Sequence, residues 1–180
     1  MLIETIAQET IYQGRAFNVR RDEVRFPNQN TMHVDIIEHP GAVTILPIDA
    51  EGRILFVRQY RHATGKELLE LPAGTLNMGE QAESCALREI REETGFAAGK
   101  LVKLGEFYLA PGYSTEYMVI YLAEELHHDP LPVDQDEFIT LEAIPIEQAY
   151  DLALSGGLQD GKSLAALLLA HPYIHRSPYA

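Results

Sequence analysis

The chain has 180 residues, of which 46% are hydrophobic and 23% charged, a composition typical of a soluble globular protein. Its formal net charge of −13 argues against general nucleic-acid binding, and no apolar run approaches the roughly 20 residues of a membrane span. A single cysteine, Cys85, excludes an internal disulfide framework, and the acidic N-terminus lacks a targeting signal, so we expect a cytoplasmic protein.

The first half of the chain is predicted to contain mostly strands and one helix. The first forty residues mix apolar and polar positions as β-strands do, and residues 27–30 form a turn signal. AVTILPI and RILFVRQY flank residues 49–52 and predict a β-hairpin, and ELLEL predicts a short strand ending at Pro72. A helix is predicted at about residues 80–94, ended by Gly95 in the left-handed conformation.

The second half continues with strands and closes with two helices. LVKLGEFYL, EYMVIYLA and FITLEAI predict three strands, and IEQAYDLALS and KSLAALLLA predict helices. Strands and helices alternate irregularly, so we expect an α/β protein of the α+β type, with a mixed sheet between helices. An antiparallel β segment over residues 1–40 is expected to precede this main domain, which covers residues 41–180.

Three glutamates are concentrated at the end of the predicted helix. Glu89, Glu92 and Glu93 share one face because their spacing is i, i+3 and i+4. Each like-charge pair at this spacing costs about 0.2–0.5 kcal/mol, and the helix dipole adds about 0.3–1 kcal/mol for each anion at this end. Arg88 and Arg91 offset only part of this repulsion.

Two interpretations of the glutamate face remain open at this point. Ala86, Leu87 and Ile90 give the helix an apolar edge, so the carboxylates are expected near the sheet. Oxygen ligands suit Mg²⁺ or Mn²⁺ and not zinc, which favours a metal site. A solvated face rich in a good helix former explains the same residues.

The spacing around these glutamates resembles the signature of the Nudix hydrolases at every specified position. The matching residues are Gly74, Glu80, Arg88, Glu89, Ile90, Glu92, Glu93, Gly95 and Phe96. The resemblance in fold extends over about residues 41–170. It implies an α/β/α sandwich that uses a divalent metal to hydrolyse a nucleoside diphosphate linked to another moiety.

The resemblance also implies a set of metal ligands and a cofactor. The implied ligands are the backbone carbonyl of one residue and the carboxylates of three others: Ala73, Glu89, Glu92 and Glu93. Arg88 is expected to orient the glutamates, and glycine at position 74 lets the backbone approach closely. Mg²⁺ is the expected cofactor, with Mn²⁺ as a substitute.

Three features outside the signature resemble the ADP-ribose pyrophosphatases of this family. VRQYR carries Arg58 and Arg61, which are expected to bind the diphosphate, with Arg61 the better match. Glu70, also an expected substrate contact, opens the stretch ELPAG that leads into the signature. The third feature is the loop LAPGYSTE, whose expected substrate contacts are Pro111, Gly112 and Glu116.

ADP-ribose is therefore the expected substrate, cleaved to AMP and ribose 5-phosphate, but alternatives remain. Surface ion pairs and an ordinary turn explain the same residues, and the rival substrates are another sugar nucleotide such as GDP-mannose, or a nucleoside triphosphate. A module that binds ADP-ribose without cleaving it is a further alternative, against which the intact signature argues.

The general base is expected on the acidic loop before the last strand. In the subfamily this loop supplies the residue that accepts the proton of the attacking water, and Glu137 is the match here. Asp136 is the second choice. Glu92 is the alternative, since some family members use the helix glutamates, and mere solvation of the loop is the non-catalytic explanation.

The resemblance implies a homodimer in which the N-terminal strands exchange between subunits and help to enclose the adenine. Exposed strand edges favour such pairing, and Tyr12, Phe17 or Phe26 would stack on a base. Ordinary core packing is the favoured explanation for each of these aromatic residues taken singly. No nucleic-acid or membrane partner is expected.

Overall fold

The computed structural model describes residues 2–132 and 138–175. They belong to two compact units, Met1–Gly41 with Phe107–Tyr117, and Ala42–Glu106 with Met118–Ala180. Within the described ranges, every helix is too short or too polar to cross a membrane.

The first unit is built on a three-stranded antiparallel sheet, which confirms the predicted β character of the N-terminus. Its strands, in their order across the sheet, are β1 (Glu4–Gln13), β2 (Asn18–Arg25) and β3 (Thr31–Glu38). The predicted turn at 27–30 is also confirmed. The Phe26 amide donates to the Asn30 carbonyl at 2.9 Å, and Gln29 has a φ of 69°.

The remaining strands form two further sheets. They are β4 (Ala42–Pro47), β5 (Arg53–Arg61), β6 (Lys66–Glu70), β7 (Ala73–Thr75), β8 (Phe96–Tyr108), β9 (Tyr117–His128) and β10 (Ile139–Pro145). One sheet has the order β7-β4-β9-β8 and is mixed, since β4 runs parallel to β9 and antiparallel to β7. The other is antiparallel with the order β10-β5-β6. All six residues of β4 are buried, so this strand is covered on both faces.

The predicted hairpin is wrong beyond its turn. Gly52 has a φ of 73°, the Asp49 amide donates to the Arg53 carbonyl at 2.9 Å, and Ile48 forms one isolated bridge with Ile54. β4 and β5 then enter different sheets, because β4 pairs with β7 and β9. The turn was a local property, whereas the pairing was decided by strands distant in sequence.

Three helices complete the fold: α1 (Ala82–Thr94), α2 (Ile146–Ser155) and α3 (Gly161–Ile174). α1 and α3 both pack on β4, and α2 packs on β5 and β10, which confirms the predicted α+β class. Gly95 ends α1 with a φ of 79°, as predicted. α1 begins two residues later than predicted, because the Glu80 carboxylate accepts from the Asn77 amide at 2.9 Å in the preceding turn.

The apolar edge of α1 is confirmed in part. Ala86 and Ile90 are fully buried, but Leu87 is 37% exposed. The prediction for Leu87 was wrong because this residue lies about 100° around the helix from Ala86. The face of α1 that packs on the sheet therefore buries Glu89 and Glu93, and not Leu87 as we expected.

Candidate active site

The short strand β7 brings the backbone of Ala73, whose carbonyl is an expected ligand, to the glutamate face of α1. β7 pairs with β4, where Thr44 lies opposite Ala73. The Ala73 amide donates to Glu93 Oε2 at 3.0 Å. A strand of three residues has no periodicity to detect, so the sequence did not predict β7.

Gly74 lies directly against the carboxylate of Glu89. A Cβ atom added to Gly74 would lie 1.8 Å from Glu89 Oε1 and 1.9 Å from Cδ. Such distances are far inside van der Waals contact, so position 74 must be glycine while Glu89 keeps this place. Close approach requires the glycine here, because Gly74 does not have a positive φ.

Two of the three helix glutamates are buried. Glu89 and Glu93 are each 8% exposed, and the side chain of Glu92 is 20% exposed. The prediction that the carboxylates lie near the sheet and not on the solvated face is therefore confirmed. Burying carboxylates is unfavourable unless cations or hydrogen bonds compensate them.

Arg88 supplies positive charge among these carboxylates. Its guanidinium donates to Glu89 at 2.6 Å, to Glu92 at 2.7 Å and to Glu80 at 3.1 Å. The hydrogen bond from Arg88 lowers the pKa of Glu80, and the hydrogen bonds to Glu80 and Glu92 raise the pKa of Arg88 above its ordinary value. Arg88 therefore contacts Glu89 and Glu92 on the helix, and its role in orienting the glutamates stays a prediction.

The donor atoms on this face fit a hard divalent cation. The Glu93 carboxylate contacts the Ala73 amide and the Glu89 carboxylate lies against Gly74, and oxygen ligands are those that Mg²⁺ and Mn²⁺ prefer. Within residues 2–132 and 138–175, no three histidine, cysteine or carboxylate side chains are grouped closely enough to hold an ion as they stand. Glu80, Glu89 and Glu92 converge on the guanidinium of Arg88 instead.

A second cluster of charges centres on Glu70, at the end of β6. Glu70 is 2% exposed and accepts two hydrogen bonds from Arg61, at 2.8 and 2.7 Å. Lys162 also donates to Glu70, and it bonds Asp160 at 2.9 Å. Burial alone would raise the pKa of Glu70, but the Arg61 hydrogen bonds and the Lys162 charge outweigh it and hold that pKa below its ordinary value.

Sequence reasoning missed Lys162 and Asp160. Asp160 caps α3 by accepting from the Ser163 amide at 3.1 Å, and the stretch DGKS contains a signal for such a cap. The contact between Lys162 and Glu70 joins residues 92 apart in the chain. No local pattern could have revealed it.

The two predicted arginines of β5 lie on opposite faces of the strand, because side chains three residues apart point in opposite directions. Arg58 donates to Glu142 at 2.5 and 3.3 Å and lines a cavity of about 420 Å³ together with Glu67. Arg61 is the one of the two that reaches Glu70. The structure therefore does not bring Arg58 and Arg61 together.

The expected loop contacts lie in the first compact unit. Pro111 and Gly112 are exposed and Glu116 is half-buried. The Leu109 amide donates to the Glu116 carbonyl at 3.1 Å, which closes the turn between β8 and β9.

The expected general base lies outside the described residues. Glu137 and the second choice, Asp136, both fall between the described ranges 2–132 and 138–175. The alternative, Glu92, is the helix glutamate bound by Arg88 at 2.7 Å.

Comparison with known proteins places the chain in a family. The NUDIX domain family model matches residues 38–167. An ADP-ribose pyrophosphatase from Bacillus subtilis (strain 168) is 38% identical over 166 residues, covering 91% of this chain and 90% of the relative. A methanol dehydrogenase activator from Bacillus methanolicus is 34% identical over 166 residues, with the same two coverages, 91% and 90%.

A solved structure agrees with these sequence matches. The crystal structure of an ADP compounds hydrolase superposes with a TM-score of 0.87 at 25% sequence identity. The alignment covers 100% of this chain and 98% of the other. The family match spans the whole glutamate helix, Gly74 and Arg61, and the chain therefore belongs to the Nudix family of hydrolases.

Proposed function

We propose that this Nudix hydrolase cleaves the diphosphate linkage of a nucleoside diphosphate derivative, with ADP-ribose as the substrate, giving AMP and ribose 5-phosphate. The observation that carries the proposal is the packing of Glu89 and Glu93 against the backbone of Ala73 and Gly74. The ADP-ribose pyrophosphatase of Bacillus subtilis and the structurally similar ADP compounds hydrolase support a substrate that contains ADP.

Mg²⁺ is the proposed cofactor, with Mn²⁺ as a substitute. Glu89, Glu93 and the Ala73 carbonyl would hold it, with Glu92 beside them. A bound divalent cation neutralises diphosphate charge and makes water a better nucleophile at neutral pH. The oxygen chemistry of this face supports the choice over zinc.

The two arginines near the glutamates have different proposed tasks. Arg88 orients the carboxylates through its three ion pairs. Arg61 binds the diphosphate: Glu70 takes its Nε and Nη2 atoms, and the side chain is 40% exposed, which leaves the other edge of the guanidinium for a phosphate oxygen. Arg58 stays a prediction, and it would have to leave Glu142 to bind phosphate.

The roles in proton transfer and in the remaining substrate contacts are proposed for the residues that the sequence predicts. Glu137 is the proposed base that accepts the proton of the attacking water, with Glu92 as the alternative. The loop contacts proposed for the substrate are Pro111, Gly112 and Glu116. Placing water and diphosphate in line is the main catalytic task of these groups.

A homodimer formed through residues 1–40 is also proposed. β1 is an edge strand, and nine of its ten residues are exposed. Tyr12 is 56% and Phe17 41% exposed, with ring centroids 6.4 Å apart. A second subunit or an adenine ring would cover this aromatic surface. A monomer at micromolar concentration in light scattering would count against the dimer.

Charge and cysteine chemistry support the proposed partner and location. A net charge of −13 disfavours binding of nucleic acid, so the proposed partner is a small nucleotide that binds together with a divalent metal ion. Burial raises the pKa of the Cys85 thiol to about 12, which keeps it protonated and unreactive. One buried, unreactive thiol is consistent with a cytoplasmic enzyme.

A substrate panel tests the proposal. ADP-ribose, other sugar nucleotides including GDP-mannose, and nucleoside triphosphates are compared in Mg²⁺ and in Mn²⁺, with phosphatase or pyrophosphatase coupling and malachite-green detection. We expect the highest kcat/KM for ADP-ribose in Mg²⁺. A preference for a triphosphate would overturn the substrate assignment, and hydrolysis of none would overturn the function.

A further inference from the structure

We propose that the first turn of α3 positions the diphosphate-binding arginine, with Lys162 acting on Arg61 through Glu70. This inference rests on the proposed function, since it assumes that Arg61 binds the diphosphate. Lys162 is a positioning residue here and does not contact the substrate.

The carboxylate of Glu70 joins the two cations. Its Oε1 accepts from Arg61 Nε at 2.8 Å, and its Oε2 accepts both from Arg61 Nη2 at 2.7 Å and from Lys162 Nζ. Glu70 is 2% and the Lys162 side chain 12% exposed, so water competes little for these bonds. The Nε–Nη2 edge of Arg61 is thereby fixed, and the direction of its other edge follows.

The positive charge of Lys162 matters as much as its hydrogen bond. Among the residues that the structure describes, the cations bonded to Glu70 are Arg61 and Lys162. Without Lys162, the buried Glu70 would attract Arg61 more strongly. A phosphate would then have to compete with the full charge of Glu70 for the guanidinium. Because Lys162 also pairs with Oε2, it compensates part of the negative charge of Glu70. Glu70 then attracts Arg61 less strongly, and a phosphate binds the guanidinium more easily.

Lys162 is itself held in place by the cap of α3. It bonds Asp160 at 2.9 Å, and the same carboxylate accepts from the Ser163 amide at 3.1 Å. The Ser163 hydroxyl is fully buried and accepts from the Leu71 amide at 2.7 Å. One helix turn therefore binds both the side chain of Glu70 and the backbone that continues from it into Ala73.

A double-mutant cycle tests the coupling. We compare wild type, Lys162→Met, Arg61→Ala and the double variant by kcat, by KM for ADP-ribose, and by the Kd of the non-hydrolysable α,β-methylene analogue. Lys162→Met is expected to raise KM and Kd about tenfold and to change kcat less than about threefold. In the Arg61→Ala background it should add less than about twofold, because the residue through which it acts is gone.

Two further variants separate positioning from general stability. Lys162→Arg keeps the charge and should restore KM to within about threefold of wild type. Lys100→Met removes a lysine whose pair with Glu124, at 2.6 Å, is on the surface, and it should leave KM and Kd unchanged. If Lys162→Met fails to fold in thermal unfolding, Lys162→Gln takes its place in the cycle and is judged by the same values.

The outcomes distinguish the inference from the function on which it rests. If Arg61→Ala raises KM and Kd but Lys162→Met does not, or if Lys162→Met has the same effect in both backgrounds, the positioning role is overturned and the proposed function stands. If Arg61→Ala leaves KM and Kd unchanged, the diphosphate role proposed for Arg61 fails first.

Discussion

The second compact unit contains two charge clusters, one around Arg88 on α1 and one around Glu70, and they differ in the balance of negative and positive charges. In the α1 cluster, Glu80, Glu89 and Glu92 share the guanidinium of Arg88, and Glu93 lies on the same helix face as Glu89 and Glu92. Around Glu70, two carboxylates meet two cations. An excess of buried negative charge is relieved when a cation binds, and a balanced buried cluster has no such need. The difference is the one expected if the α1 cluster is the proposed metal site and the Glu70 cluster holds the arginine proposed to bind the diphosphate.

The largest loss of activity is expected from removing a carboxylate of the α1 cluster, in which negative charge is in excess. Glu93→Gln is expected to abolish metal-dependent turnover, a greater loss than the roughly 10–100-fold seen when only the partner of a ligand is removed. The fold should persist, because glutamine keeps the shape of the side chain. Steady-state assays in Mg²⁺ check the rate and circular dichroism checks the fold. The matched control is Glu83→Gln, an exposed position on the same helix. Wild-type activity in Glu93→Gln would contradict the proposed metal site.

The next largest effect is expected from removing the general base, which lies either in this cluster or on the loop before β10. Glu137→Gln is expected to lower kcat by about 10²–10⁴ with little change in KM, because a general base acts in the transition state. The same assay on Glu92→Gln provides the comparison. A loss below about tenfold for Glu137→Gln would return the role to the helix.

A smaller loss is expected from steric displacement within the cluster. Gly74→Ala places a Cβ 1.8 Å from Glu89 Oε1, so the carboxylate must move. Displacement on the scale of 1 Å can reduce kcat/KM about 10²-fold. Gly161→Ala is the control, since a Cβ there meets open space and α3 should tolerate alanine. Equal kcat/KM in the two variants would show that the contact between Gly74 and Glu89 is not needed.

The unbalanced cluster could be predicted from the sequence, and the balanced one could not. Glu89, Glu92 and Glu93 lie within one helix turn and a half, where helical spacing alone places them together. The Glu70 cluster needs β5, β6 and the start of α3 to meet, and its Lys162 contact spans 92 residues. The charge pattern of a helix is local information, whereas a buried ion-pair network is a consequence of topology.

The same distinction explains the errors in the fold. The turn at Gly52 was correct because it depends on neighbouring residues, but the pairing of β4 with β9 joins distant strands, as in Ile45 opposite Tyr121. Leu87 was misplaced because an apolar residue was taken to face the core, while the buried positions went to Glu89 and Glu93. Their burial conflicts with ordinary helix rules, and such conflicts are expected mainly at functional sites.

The most direct test of the α1 cluster is the melting temperature with and without Mg²⁺, in the absence of substrate. A ligand at about 100 times its Kd adds roughly 2.7 kcal/mol, and each kcal/mol raises Tm by about 2–4 °C in a protein of this size. We predict that Mg²⁺ raises the Tm of wild type and of Glu83→Gln, and raises that of Glu93→Gln much less. Equal shifts in all three proteins, or no shift in wild type, would contradict a cation site at this cluster.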